Sequence, residues 1–122
     1  MLNRVTRSDD GSVKERVHIA PVQFEVDRLI LPIKMLKGER AHLMLLKTDN
    51  KRVHACLGKA KAALKELGKP YAIHEDEFDI FELISSYKRV IEEELEKGSF
   101  VYVNLSSGGA MQAVAANYAA ME

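Results

Sequence analysis

The stretch Phe100-Val101-Tyr102-Val103-Asn104-Leu105-Ser106-Ser107-Gly108-Gly109-Ala110 decides how this chain is read. A run of β-favouring residues ends in hydroxyls and glycines, and an alanine-rich helical pattern begins at Ala110. A strand that turns directly into a helix is the building unit of a parallel sheet. Amides at such a turn are expected to face outward, and the helix dipole adds partial positive charge, so a phosphate or another anion is the natural guest.

Working outward, the same alternation recurs. Arg16-Val17-His18-Ile19-Ala20 reads as a strand, and Phe24, Leu29, Ile30, Ile33 and Leu36 then repeat at helical spacing until Gly38. Pro32 is expected to kink that helix or divide it. Ala41 to Leu46 is nearly continuously apolar, as in a strand covered on both faces. Val53, Leu57, Ala60, Leu64 and Leu67 form one helical face up to Gly68. Lys69 to His74 reads as an edge strand, because Pro70 has no amide for the ladder. Asp79 with Glu82 resembles a capping box, and Ile80, Ile84, Tyr87, Ile91 and Leu95 continue the stripe toward Gly98.

Four β-α units imply an α/β fold: a Rossmann-like open, mainly parallel sheet of at least four strands in the order 3-2-1-4, with helices on both faces. Strands one and four then lie side by side, and ligands bind at that switch point beyond the strand ends. Two loops converge there. Pro21, Val22 and Gln23 are the candidate binding residues of the first, and Ser106, Ser107, Gly108 and Gly109 those of the second. Thr48, in the polar loop after strand two, joins them at the same rim; Thr48 or Asp49 is also expected to cap the next helix. Phe24 reads as a core anchor. His74 to Glu77 is expected to lie farther away.

The 122 residues suit one domain, with Met1 to Lys14 as a flexible N-terminal arm or a hairpin too weak to place, and residues 15–122 as the Rossmann domain. Eighteen basic residues balance eighteen acidic ones, so no overall field draws nucleic acid or an anionic membrane, and direct nucleic-acid binding is not expected. The arm has neither a signal-peptide nor a transit-peptide pattern, and no apolar run approaches the ~20 residues of a membrane span. The single Cys56 cannot form an internal disulfide, which fits the cytoplasm, and it reads as a buried structural thiol. His18, His42, His54 and His74 lack metal-ligand spacing, so no metal and no cofactor are implied. His18 is expected to be a hydrogen-bonded core residue.

Only Gln112 and Asn117 interrupt the apolar character of Ala110 to Met121, so both sides of that helix ask for cover. A second copy, downstream sequence or the N-terminal arm could supply it, and a homodimer is the favoured solution. The turn Ala20-Pro21-Val22-Gln23 lacks the glycines of a dinucleotide site, and neither a P-loop nor a nucleophile elbow is present.

Ala20 to Arg28, together with Tyr102 to Gly109, resembles the sensor domain of archaeal transcriptional regulators related to the CRISPR-associated Rossmann-fold (CARF) proteins, over about Val17 to the end. The resemblance implies a homodimer, a nucleotide-like second messenger such as a cyclic oligoadenylate across its axis, and an effector domain outside this chain. It assigns Pro21 to Phe24 to one ligand loop and Ser106 to Gly109 to the other. Where that family often continues with threonine and a basic residue, this chain has Ala110-Met111. Some members cleave their ligand, and Ser106 or Ser107 could align a ribose hydroxyl for that step. Sensing is the preferred expectation, a ligand-free homodimerisation module the alternative, and a ring nuclease a distant third.

Overall fold

Strand and helix alternate as anticipated in the computed structural model, which describes residues 2–5 and 14–121. The elements are β1 (Leu2–Val5), β2 (Arg16–Pro21), α1 (Val26–Met35), β3 (Arg40–Leu46), α2 (Lys51–Glu66), β4 (Tyr71–Asp76), α3 (Ile80–Glu96), β5 (Phe100–Asn104) and α4 (Ala110–Ala120). The sheet order is β1-β5-β2-β3-β4. Its four expected strands are parallel, with β2 beside β5 and β4 at the edge, so the 3-2-1-4 order holds. Within the segment read as an arm, Leu2–Val5 pairs antiparallel with β5 as a fifth strand. The Ser8 to Ser12 stretch lies outside the described residues.

Alternation along the central strands divides the interior in two. Ala20, Leu43 and Leu45 face α1 and α2, where Leu29, Ile33, Cys56 and Leu64 complete one core. Ile19, Met44, Val101 and Val103 face α3 and α4, meeting Tyr87, Val90 and the Ala115, Ala116 and Ala119 face of α4. Fully burying each large aliphatic side chain contributes roughly 1.5–3 kcal/mol. The three alanines let α4 lie close to the sheet, while Val114, Tyr118 and Met121 stand exposed on its other side.

Three local expectations are corrected. Pro32 does not divide α1, which runs unbroken from Val26 to Met35. Lacking an amide, Pro32 leaves the Arg28 carbonyl without its helical donor, and Asn104 Nδ2 donates to that oxygen instead at 2.9 Å. The cap of α2 is Asn50, whose side chain accepts from the Arg52 and Val53 amides, and neither Thr48 nor Asp49 takes that role. At α3, Asp79 caps as anticipated, but Glu82 reaches back to the Glu77 amide at 2.6 Å, so the reciprocal half of the box is not formed.

The opposite, N-terminal end of the sheet carries a buried carboxylate. Glu94 is 1% exposed, and Arg40 donates to both of its oxygens at 2.7 Å. Ser99 Oγ donates to Oε1 at 3.0 Å and His42 Nε2 lies 2.6 Å from Oε2. With Glu94 ionised, His42 Nε2 donates to it, and His42 Nδ1 and His74 Nε2 are joined by a hydrogen bond at 2.8 Å. Burial alone would push the Glu94 carboxyl up; the hydrogen bonds from Arg40, His42 and Ser99 outweigh it and hold the group at about 2. Burial, followed by the neighbouring His42, lowers the His74 imidazole. This cluster fastens α3 to β3 and β4.

His18 differs from expectation in another way. It is buried and stacked on Tyr102 at 4.9 Å between ring centroids, yet neither ring nitrogen has a hydrogen-bond partner among the described residues. Gly38 has no room for a side chain, since a Cβ there would come within 2.5 Å of the imidazole. Burial, with Lys69 adding to it, lowers the His18 pKa from 6.5 to about 4, so the ring is neutral.

Candidate functional site

The ends of β2 and β5 meet as the strand order requires. Ser107 Oγ donates to the Pro21 carbonyl at 2.7 Å. Gly108 lies against Pro21 so closely that a Cβ there would come within 2.5 Å of the proline ring. Beside them, a Cβ on Gly109 would meet the Gln23 amide nitrogen at 2.8 Å. The glycines serve close approach, a reason visible only once both loops are in place.

Asn104 organises the turn. Its Oδ1 accepts from the Ser106 amide at 2.8 Å, the Ser106 hydroxyl at 3.1 Å and the Ser107 amide at 3.1 Å, while Nδ2 holds the Arg28 carbonyl. Gln112, 1% exposed, acts similarly one turn into α4. Its Oε1 accepts from the Gly109 amide at 3.1 Å, and its Nε2 donates to the Met44 carbonyl at 3.1 Å. That carbonyl also accepts from the Val22 amide at 2.9 Å. The expectation of outward-facing amides is therefore corrected: those of Ser106, Ser107 and Gly109 are bonded within the protein.

Two clefts open on this rim, with Gln23 and Phe24 as their common wall. The smaller, about 100 Å³, lies between the β2 and β5 loops, where Ser106, Ser107 and Gly108 face Glu25 and Arg28. The larger, about 200 Å³, lies over β3, bounded by Val22, Lys47, Thr48, Asn50, Phe78 and Gln112. Arg28 is paired with Glu25 at 2.5 Å, the local helix pair anticipated, and Lys47 with Glu77 at 3.2 Å. Exposed cations close to acidic partners can exchange them for an anionic guest at small cost, because such surface pairs are individually weak.

Of the eight candidate residues, Gln23 borders both clefts, Val22 and Thr48 the larger, and Ser106, Ser107 and Gly108 the smaller. Pro21 is buried behind the wall as the acceptor for Ser107, and Gly109 seats Gln23. Phe24 is not the core anchor anticipated. It is 39% exposed, with the Arg52 guanidinium 4.4 Å over its ring. Nor is the end of β4 remote, since Glu77 reaches Lys47 and Phe78 borders the larger cleft. Arg28 and Phe78 also line the clefts, though the sequence reading did not place them there. Asn104 stood in the quoted turn, but no local pattern announced that it reaches 76 residues back to Arg28.

Cys56 is buried, as anticipated, and burial pushes its thiol up. Among the described residues, no group of three or more His, Cys, Asp or Glu could hold a metal ion, and no helix is long and apolar enough to cross a membrane.

Residues 16–122 match the model of the protein family described as "HFX_2341_N:-like, N-terminal". No curated protein matches the chain. Among solved structures, it is similar to Can2 from Sulfobacillus thermosulfidooxidans in complex with cyclic tetra-adenylate (cA4). That likeness has a TM-score of 0.58 at 15% sequence identity and covers 86% of this chain. It extends over only 29% of the Can2 chain, so it concerns one portion of the larger protein. The fold is CARF-like.

Proposed function

The chain belongs to the HFX_2341_N-like N-terminal family, and from that premise we propose that it is a ligand-sensing domain for a nucleotide-like second messenger, of which a cyclic oligoadenylate is the best candidate. The observation that carries this reading is the pair of adjoining clefts at the switch point, divided only by Gln23 and Phe24. A ligand with alternating anionic and planar parts suits such a surface. Arg28 and Lys47 offer charge to phosphates, the Gln23 amide and the Thr48 and Ser106 hydroxyls offer hydrogen bonds, and Phe24 and Phe78 offer ring faces for bases. Pro21, Ser107, Gly108 and Gly109 hold the loops in place, with Val22 as the apolar floor. The Can2 structure, bound to cyclic tetra-adenylate, supports the same ligand class.

In this reading two copies share the ligand across a twofold axis, and the response passes to an effector such as a transcriptional regulator. The exposed Val114, Tyr118 and Met121 of α4 also favour a second reading, a homodimerisation module that takes no ligand. Calorimetric titration with cyclic tetra- and hexaadenylate separates the two. Sensing gives binding heat and a thermal upshift, since a ligand at 100 times its Kd stabilises by about 2.7 kcal/mol. Gln23→Ala and Arg28→Ala should weaken it while leaving unfolding unchanged. Absence of heat and of any shift with both compounds would discard the sensing reading in favour of the module.

A further inference from the structure

Among the described residues β4 ends the sheet, with β3 on one side only. The Ala41 amide donates to the Pro70 carbonyl at 3.1 Å and the Lys47 amide to the Asp76 carbonyl at 2.8 Å. Even-numbered residues thus turn their main chain toward β3, and Tyr71, Ile73 and Glu75 turn theirs to the open side. Tyr71 pairs with Ala41 and Ile73 with Leu43, both in the α1/α2 core, so these two side chains share the α2 face of the sheet. They are 37% and 40% exposed. Soluble proteins ordinarily blunt such an edge or cover it.

The sequence Lys69-Pro70-Tyr71-Ala72-Ile73-His74-Glu75 is complementary to itself when reversed. We infer that β4 pairs antiparallel with β4 of a second copy of this chain about a twofold axis at Ala72. In that register Tyr71 falls opposite Ile73 of the partner subunit and Lys69 opposite Glu75 of the partner subunit, and symmetry repeats each pair. Outward-turned main chain meets outward-turned main chain at positions 71 and 73, forming a narrow hydrogen-bonded ladder. Ala72 faces its own copy at the axis, where the close spacing of a non-hydrogen-bonded pair favours a small side chain.

Other registers fit less well. An axis between two residues would oppose outward to inward main chain, and an axis at Ile73 would set Tyr71 against Glu75. Neither Lys69 nor Glu75 is held in an ion pair among the described residues, so both charges are available. This contact is separate from the exposed face of α4 and does not depend on ligand binding.

Charge reversal tests it in the full chain. Lys69→Glu and Glu75→Lys each set like charges opposite one another in a self-pair, whereas a mixture of the two variants restores both ion pairs. A fluorescently labelled Lys69→Glu chain, titrated by energy transfer, should bind unlabelled Glu75→Lys roughly tenfold or more tightly than it binds unlabelled Lys69→Glu. An interface on α4 would be indifferent to these charges. Equal affinity in the two titrations, or no association in either, would overturn the pairing.

Discussion

Pro32 and Asn104 lie 72 positions apart, yet one carbonyl joins them. Because Pro32 has no amide, the Arg28 oxygen depends on Asn104 Nδ2 at 2.9 Å. Asn104→Ala strands that oxygen and also deprives the Ser106 and Ser107 amides of their acceptor. A buried polar group left without a partner costs about 1–3 kcal/mol. Ser106 is half-buried and Arg28 is an exposed residue, so both recover part of their loss from water and the total should be about 2 kcal/mol. Pro32→Ala returns an amide at the right place in α1, so the Arg28 oxygen is satisfied within the helix. In that background Asn104→Ala should cost only about 1 kcal/mol, a coupling of similar size between the two sites. Urea unfolding of the parent, both single variants and the double variant measures it. If the cost of Asn104→Ala is the same in both backgrounds within about 0.5 kcal/mol, the account of how α1 tolerates its proline is wrong.

His18 binds a proton at 6.5 when unfolded but only at about 4 when folded, so its contribution to stability is present above pH 6.5 and is lost as pH falls toward 4. At 1.36 kcal/mol for each tenfold change the loss is about 3 kcal/mol, and His18→Phe should flatten the urea-midpoint profile in that window; an unchanged slope would place the titration elsewhere. Glu94 acts lower: lowered from 4.5 to about 2, its contribution is complete above pH 4.5 and fades below it. Glu94→Gln, which leaves the half-buried Arg40 against an amide, should cost about 3 kcal/mol at neutral pH by chemical denaturation, and a change under 1 kcal/mol would reduce the cluster to a surface ion pair. Gly108→Ala drives a methyl into Pro21 and should cost about 1–3 kcal/mol. Gly109→Ala has only the flexible Gln23 to move and should leave the melting temperature nearly unchanged while altering ligand titration; equal destabilisation by the two would refute the distinction.

The fold was legible because strand and helix periods are uninterrupted from Arg16 onward, and glycines or capping residues divide them. Burial enforces those periods locally, so a short window suffices to read them. β1 escaped notice because Leu-Asn-Arg-Val carries no pattern that a pairing with β5 would require. The two loops were found by strand order, which is a global inference from four local ones. Their chemistry was harder. Whether the amides of Ser106, Ser107 and Gly109 face solvent or an asparagine and a glutamine depends on contacts that spacing cannot encode. Phe24 sits where a core residue is plausible, and only the position of Arg52 above its ring shows it to be part of the rim. His42 and His74, 32 positions apart, become neighbours through strand pairing alone.

Gln112 ties loop, sheet and helix together. A single side chain grips the loop at Gly109 with one end and the sheet at Met44 with the other, and its backbone is the first turn of α4. A shift of Gly109 would therefore either break its bond to Gln112 or draw on the first turn of α4, the helix that carries the exposed Val114 and Tyr118.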